Sequence, residues 1–286
     1  MSPRQWAWLR PLAGVAILVA LVVQLGADPF TDGLRRTDAT AVVVALVVTA
    51  GTTWCCAWRW SLLSARLGVV VPVRTAFRRY YRSQLLNATL PGGVLGDVHR
   101  GVEHGRASGS MRRGVGSVVA ERAAGQLVQA AMAAAALPLL PGGLGPDDGW
   151  TVVPVAAGLA AAVVLVVVLG WRVVVASVLA SAGHVVVFVV AARSVGVDAS
   201  LSSLTALGLV VLVAASVPLS VAGWGPREGA AAWLFAGAGL GAATGLSVAV
   251  AFGVVSLVAT LPGLLVLTER RADVGPLPDL EEADRG

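Results

Sequence analysis

The sequence predicts an all-α integral membrane protein: a polytopic helical bundle with about six full spanning helices and two oppositely oriented re-entrant helical hairpins, arranged like an inverted repeat. Three observations predict it. Of 286 residues, 57% are hydrophobic and 13% charged, and the mean hydropathy is +0.81, outside the range of soluble domains. Apolar runs of bilayer-crossing length, roughly 17 to 25 residues, recur along the chain. Two stretches rich in proline, glycine and charge interrupt otherwise apolar segments.

The long runs cover residues 11–27, 39–58, 114–140, 151–170, 173–192 and 241–267, and a shorter one covers 204–223. Arg4 and Arg10 before the first run resemble the start of a secretory leader, but Leu25 stands where a small residue is needed before Ala27. The first run therefore reads as an uncleaved helix. Trp6, Trp8, Trp54, Trp58, Trp60, Trp150 and Trp171 fall near run ends, as interfacial tryptophans do. The membrane domain spans 1–272. The tail, 273–286, is acidic with little to bury, and reads as a disordered cytoplasmic extension.

Every basic residue is arginine, a composition that with the Ala, Gly and Val bias points to a GC-rich bacterial genome. Arginines cluster before the first run, between Arg59 and Arg113, at Arg172, and after the last run at Arg270 and Arg271. The alternate loops hold Arg35, Arg36 and Arg193 together with Asp147 and Asp148. The positive-inside rule then puts both termini in the cytoplasm, in a multi-pass protein of the bacterial inner membrane. Cys55 and Cys56 are adjacent inside an apolar run, which suits neither a disulfide framework nor a metal spacing, and they read as small packing residues.

The first hairpin is placed at about 73–104. Arg74, Arg78 and Arg82 recur at spacing four, with Phe77, Tyr81 and Leu85 on another face, so an amphipathic helix is expected. Pro91, Gly92, Gly93 and Gly96 then break the pattern before a short helix resumes. Asp97 falls in its first turn, favoured by the helix dipole, and Arg100 shares its face. A cytoplasmic loop is the simpler alternative for this stretch. The second hairpin, about 204–239, breaks at Gly223 and Gly225 and restarts with Pro226 as first helical residue. Here Arg227 and Glu228 lie between apolar segments, where a charge costs about 2.5 to 3.5 kcal/mol. Successive helix positions point apart, so each is expected to need a partner elsewhere or a ligand.

Glu121 and Arg122 lie about two turns inside the third run, too deep for a glutamate to reach the interface, which predicts an ion-pair or functional role. His184, near the middle of the fifth run, reads as hydrogen-bonded core before proton relay. His99, Glu103 and His104 match no helical zinc spacing, and no metal or cofactor is expected. Gly237, Gly241, Gly245, Ala249 and Gly253 recur every four residues, either as a close-packing helix face or in part as a turn.

Asn87 with "LPGGVLGD" and Arg100, "ER" at Glu121 and Arg122, and "PLSVAGWGPREGA" together resemble the membrane domain of lysylphosphatidylglycerol synthases and flippases. That family includes stand-alone flippase-like proteins. It commonly carries an acidic residue shortly after the "ER" pair, where this chain has Gly125. Its synthases add a cytoplasmic aminoacyl transferase domain that is not seen here, so lipid aminoacylation is not expected.

These readings converge on translocation of a phospholipid or lipid-linked glycan between leaflets, without covalent chemistry. Arg100, Arg122 and Arg227 are the expected phosphate partners, being permanently charged and bidentate. Asp97, Glu121 and Glu228 would hold those arginines or meet a cationic headgroup, with Asn87 beside them. Arg74, Arg78 and Arg82 would bind anionic cytoplasmic-leaflet lipid non-specifically. The competing readings are an intramembrane transferase on a lipid phosphate, with Asp97 or Glu121 as general base, and a non-catalytic subunit of an envelope enzyme. The expected partners are the lipid or polyprenyl-linked substrate and no nucleic acid, with a second copy or an envelope enzyme left open.

Overall fold

The computed structural model describes residues 19, 21–90, 93–140, 149–216 and 224–267, and its elements are helical throughout. Pro91, Gly92, Gly223, most of the first run and the 273–286 tail lie outside the described residues.

A short helix α1 (Asp28–Arg35) packs on the later helix Ala242–Thr260 through Gly33, where a β-carbon would stand 2.5 Å from the Ser247 carbonyl. Next comes α2 (Ala39–Arg66), capped by Asp38, whose carboxylate accepts the Ala41 N–H at 2.7 Å. The amphipathic pattern yields α3 (Val73–Thr89), and the chain resumes after the break as α4 (Leu95–Ala107). α5 (Met111–Ala136) ends in a 3-10 turn, and α6 (Gly149–Leu169) joins α7 (Trp171–Val195) through Gly170 at φ +81°. α8 (Leu201–Ala215) is capped by Ser200, and α9 (Pro226–Gly237) starts on the predicted proline. α10 (Ala242–Thr260) and the single turn α11 (Gly263–Leu267) complete the described chain.

Among the described residues, three helical stretches are long and apolar enough to cross a bilayer: Ala39–Arg66, Trp171–Val195 and Ala242–Val266. The 26-residue α5 has the length, but Arg112, Arg113, Glu121 and Arg122 lower its apolarity. α6 is apolar over Val153–Leu169 and exposes Leu159, Val163, Val164, Val167 and Val168, the surface of a helix that faces lipid. By contrast α3, α4, α8 and α9, at 17, 13, 15 and 12 residues, rise only about 18 to 26 Å, less than the roughly 30 Å hydrocarbon core. The two helix, break, helix patterns read from the sequence are therefore present as pairs of short helices.

The main core lies among α2, the end of α5, α7, α8, α9 and α10. Phe188 of α7 is its centre, meeting Phe252 at 5.8 Å and Phe235 at 6.4 Å between ring centroids. Small residues let backbones close elsewhere: Gly183 faces Thr52, with 2.3 Å between a built β-carbon and the threonine methyl. The four-residue repeat near the end divides in two. Gly237 ends α9 and Gly241 takes φ +87° in the turn, whereas Gly245 lies under the Ala231 carbonyl and Gly253 under the Arg227 guanidinium.

The same device closes the first helix pair. Gly96 has no left-handed φ. Its role is proximity, since a β-carbon there would stand 2.1 Å from the Ser83 carbonyl oxygen and 2.9 Å from Asn87 Oδ1. Gly96→Ala should therefore push α4 off α3 and cost about 1 to 3 kcal/mol. Gly116→Ala, on a helical glycine with open space beside it, should be neutral or stabilising by up to about 1 kcal/mol. Thermal unfolding of both variants in detergent micelles reads the difference.

Candidate functional site

Four helices converge on one buried carboxylate. Glu121 of α5 has no solvent exposure, and its Oε1 accepts the Nε of Arg59 at 3.0 Å, the Arg59 Nη2 and the Tyr80 hydroxyl at 3.2 Å. Its other oxygen, Oε2, accepts Arg100 Nη2 at 3.0 Å. Arg100, also without exposure, passes from Glu121 to Asp97 Oδ1 at 2.9 Å, and Asp97 Oδ2 pairs with Arg122 at 2.5 Å. The order Arg59, Glu121, Arg100, Asp97, Arg122 alternates in sign. Three guanidinium groups against two carboxylates leave one positive charge.

Each position has a local cause. Asp97 sits in the first turn of α4, and besides the two arginines it accepts Ser83 Oγ at 2.9 Å and Asn87 Nδ2 at 3.0 Å from α3. Asn87 turns its other end back to the Gly96 N–H at 2.8 Å, so one side chain ties the helix start to the preceding helix. Arg100 packs its guanidinium 4.1 Å from the Tyr80 ring centre and 4.5 Å from that of Trp60. Its Nε and Nη1 have no hydrogen-bond partner among the described residues. Arg59 also donates to Ser177 Oγ on α7 at 3.0 Å and lies flat on Gly125, where a β-carbon would come within 2.7 Å of the guanidinium. In this chain, then, the space of a side chain after the "ER" pair holds the Arg59 guanidinium.

Beside the cluster opens a cavity of about 750 Å³, reached by Arg59, Tyr80, Asp97 and Arg122. Arg122 keeps 40% of its side chain exposed, against 12% for Asp97 and 6% for Arg59. Gly93, at φ +63°, turns the chain at the cavity edge, a conformation that favours glycine. His184 is half-buried and lines the same cavity.

The structure thus gathers five of the seven predicted binding residues: Asn87, Asp97, Arg100, Glu121 and Arg122. Arg227 and Glu228 stand apart, and the expectation that neighbours in sequence cannot pair does not hold. The long Arg227 side chain folds back so that Nε reaches Glu228 Oε1 at 2.8 Å, while Glu228 Oε2 accepts the Gly225 N–H at 2.7 Å. Trp224 and Phe252 flank the guanidinium at 5.0 and 5.6 Å. Arg82 pairs with Glu103 of α4, alongside Arg79. Arg59, counted in the sequence among the loop arginines, lies inside α2 and is 5% exposed. Its spacing from the predicted helix end gave no signal that it belongs with Glu121, 62 residues later.

A model of the lysylphosphatidylglycerol synthase TM region family matches residues 8–174, more than half of the chain and all of the Arg59 to Arg122 cluster. The chain belongs to that family. It is accordingly a multi-pass membrane protein with a membrane-lipid-related role. The match ends before the second break, so the "PLSVAGWGPREGA" segment that contributed to the resemblance lies outside it. No curated protein matches the chain.

Glu121→Ala would leave Arg59 buried without the carboxylate it pairs with and Arg100 with Asp97 alone. A loss of about 3 to 5 kcal/mol is expected, as for one partner of a buried pair. Replacing both ends in Arg59→Met/Glu121→Met should recover part of it. Unfolding midpoints of the single and double variants, in the same detergent, test the pairing.

Proposed function

We propose that this protein translocates an anionic amphiphile, a phospholipid or lipid-linked glycan, between the leaflets of the bacterial inner membrane without covalent chemistry. The observation that carries the reading is the cavity beside a net-positive cluster, with Arg122 as its exposed member. Arg122 is also the detachable member. If it turns to a phosphate, Asp97 keeps Arg100, Ser83 and Asn87 as donors. No buried carboxylate is then stranded, which is the condition for a charge pair to open cheaply in a low-dielectric site. Arg59 reaches the same cavity but remains tied to Glu121 and Ser177, so it supplies fixed field.

In this reading both termini are cytoplasmic and about six helices cross. The short pairs α3–α4 and α8–α9 enter from opposite faces as re-entrant hairpins. Their lengths support it, since none of the four helices crosses alone, and irregular backbone at membrane depth survives where protein or a wet cavity covers it. Residues Ala215 and Ser216 at the end of α8 border the cavity, which supports a contribution from the second pair. Arg227 is a support for that pair in this reading, and Arg122 takes the phosphate role expected of it.

The transferase reading has less support. Asp97 and Glu121 each commit their oxygens to two guanidinium groups, leaving neither carboxylate poised against a substrate hydroxyl.

Leaflet exchange of labelled phosphatidylglycerol, aminoacylated phosphatidylglycerol and a polyprenyl-phosphate sugar in proteoliposomes tests the proposal. Arg122→Ala should slow exchange about 10- to 100-fold, the worth of one charge-assisted hydrogen bond, with insertion intact. Arg122→Lys should retain part of the rate. Unchanged exchange in Arg122→Ala would sink the assignment.

A further inference from the structure

Beyond the charge cluster the cavity wall carries uncharged polar side chains set among valines and alanines. On α5, Gln126 and Gln129 follow Arg122 at i+4 and i+7, one face of one helix. Seven residues at 1.5 Å rise make an amide track about 10 Å long leading away from Arg122. Gln84 of α3 faces the same space, its carbonyl oxygen already accepting Thr53 Oγ1 at 2.9 Å, and Ser181, His184 and Ser216 add further polar groups to the wall.

The acidic side is closed. Asp97 is the acidic residue lining the cavity among the described residues, and Ser83, Asn87, Arg100 and Arg122 already hold its two oxygens. Glu121 lies behind with no exposure. An ammonium group entering with its phosphate would meet no carboxylate free of arginine, because Asp97 keeps Arg100 even when Arg122 turns to the phosphate. A hydroxyl group both donates and accepts, and so do amides, serine and neutral histidine.

We infer that the site selects a phosphate-diester lipid whose headgroup is uncharged and rich in hydroxyls, and discriminates against a cationic, aminoacylated headgroup. This rests on the reading of the cavity as a lipid-headgroup site. The phosphate sits at Arg122, and the headgroup extends along Gln126 and Gln129. The same chemistry is carried by a glycerophospholipid with a polyol headgroup and by a polyprenyl-phosphate sugar.

The test is calorimetric binding to the purified full chain in detergent. The probes are dioctanoyl phosphatidylglycerol, its lysyl ester, dioctanoyl phosphatidic acid and a short-chain isoprenyl phosphoryl hexose. One of the two hydroxyl-rich lipids should bind at least tenfold more tightly than the lysyl ester, and which one does so names the source. Gln126→Leu/Gln129→Leu should narrow its preference over phosphatidic acid about tenfold. Gln129→Glu introduces a carboxylate two turns from Arg122, outside the i+4 reach of its guanidinium, and should shift the ratio toward the lysyl ester about tenfold, a gain that misfolding cannot imitate. Equal or tighter binding of the lysyl ester by the wild type, or an unmoved ratio in Gln129→Glu, would overturn the inference. Selective binding without leaflet exchange in the same preparation would overturn translocation and leave the selectivity standing. Binding of none of the probes would overturn the headgroup reading and this inference with it.

Discussion

Glu121 is the constraint from which the rest of the first half follows. A carboxylate with no exposure is affordable only if its charge is met and its lone pairs are filled. Arg59, Arg100 and Tyr80 do both, and they come from α2, α4 and α3. Two arginines on one carboxylate over-compensate, so Asp97 is drawn in on the far side of Arg100. Asp97 in turn accommodates Arg122. The result is a chain of alternating charge that begins buried and ends at a cavity. Its members other than Arg122 cannot be repositioned singly, because Arg59, Glu121, Arg100 and Asp97 each meet side chains from two or more other helices.

Charges of this density also require backbones to come close. Gly96 lets α4 start against α3, and Gly105 and Gly114 meet almost atom to atom where α4 turns into α5. Gly125 gives the Arg59 guanidinium a flat surface on α5. Without those glycines the side chains would still carry the right charges at the wrong separations. The second break solves a different problem. Arg227 and Glu228 satisfy one another and cap α9, so that segment is electrostatically self-contained, and its small-residue face on α10 supplies the packing. One break is an open network ending at a cavity, the other a closed pair.

Much of this was legible in the sequence because it depends on local rules. The apolar runs gave the long helices; proline at position 226 gave the start of α9; the spacing of Asp97 and Arg100 gave their contact. The depth of Glu121 in an apolar run marked it as paired. What the sequence could not supply were partners chosen by tertiary packing. Arg59 looked like one of ten interfacial arginines, and nothing local distinguishes it from Arg66, which ends on the Leu169 carbonyl at 2.5 Å. Likewise Arg227 and Glu228 were judged by the angle between neighbouring positions. That angle is right for β-carbons and wrong for a guanidinium four bonds further out.

Under the proposed translocation, the difference in exposure along the charge chain bears on how a lipid would move past it. A headgroup that had to break the Glu121 contacts would strand a carboxylate in a medium that does not solvate it, and the barrier would be of the size that unfolds helices. Arg122 offers a lower route, because its partner Asp97 remains fully engaged when it leaves. Beyond it the amides of Gln126 and Gln129 can exchange one neutral hydrogen bond for another, with no charge to bury at each step. A static, buried anchor joined to a shallow series of replaceable contacts is what passage requires: the anchor holds the field in place, and the contacts that must break are the ones whose loss leaves nothing unpaired.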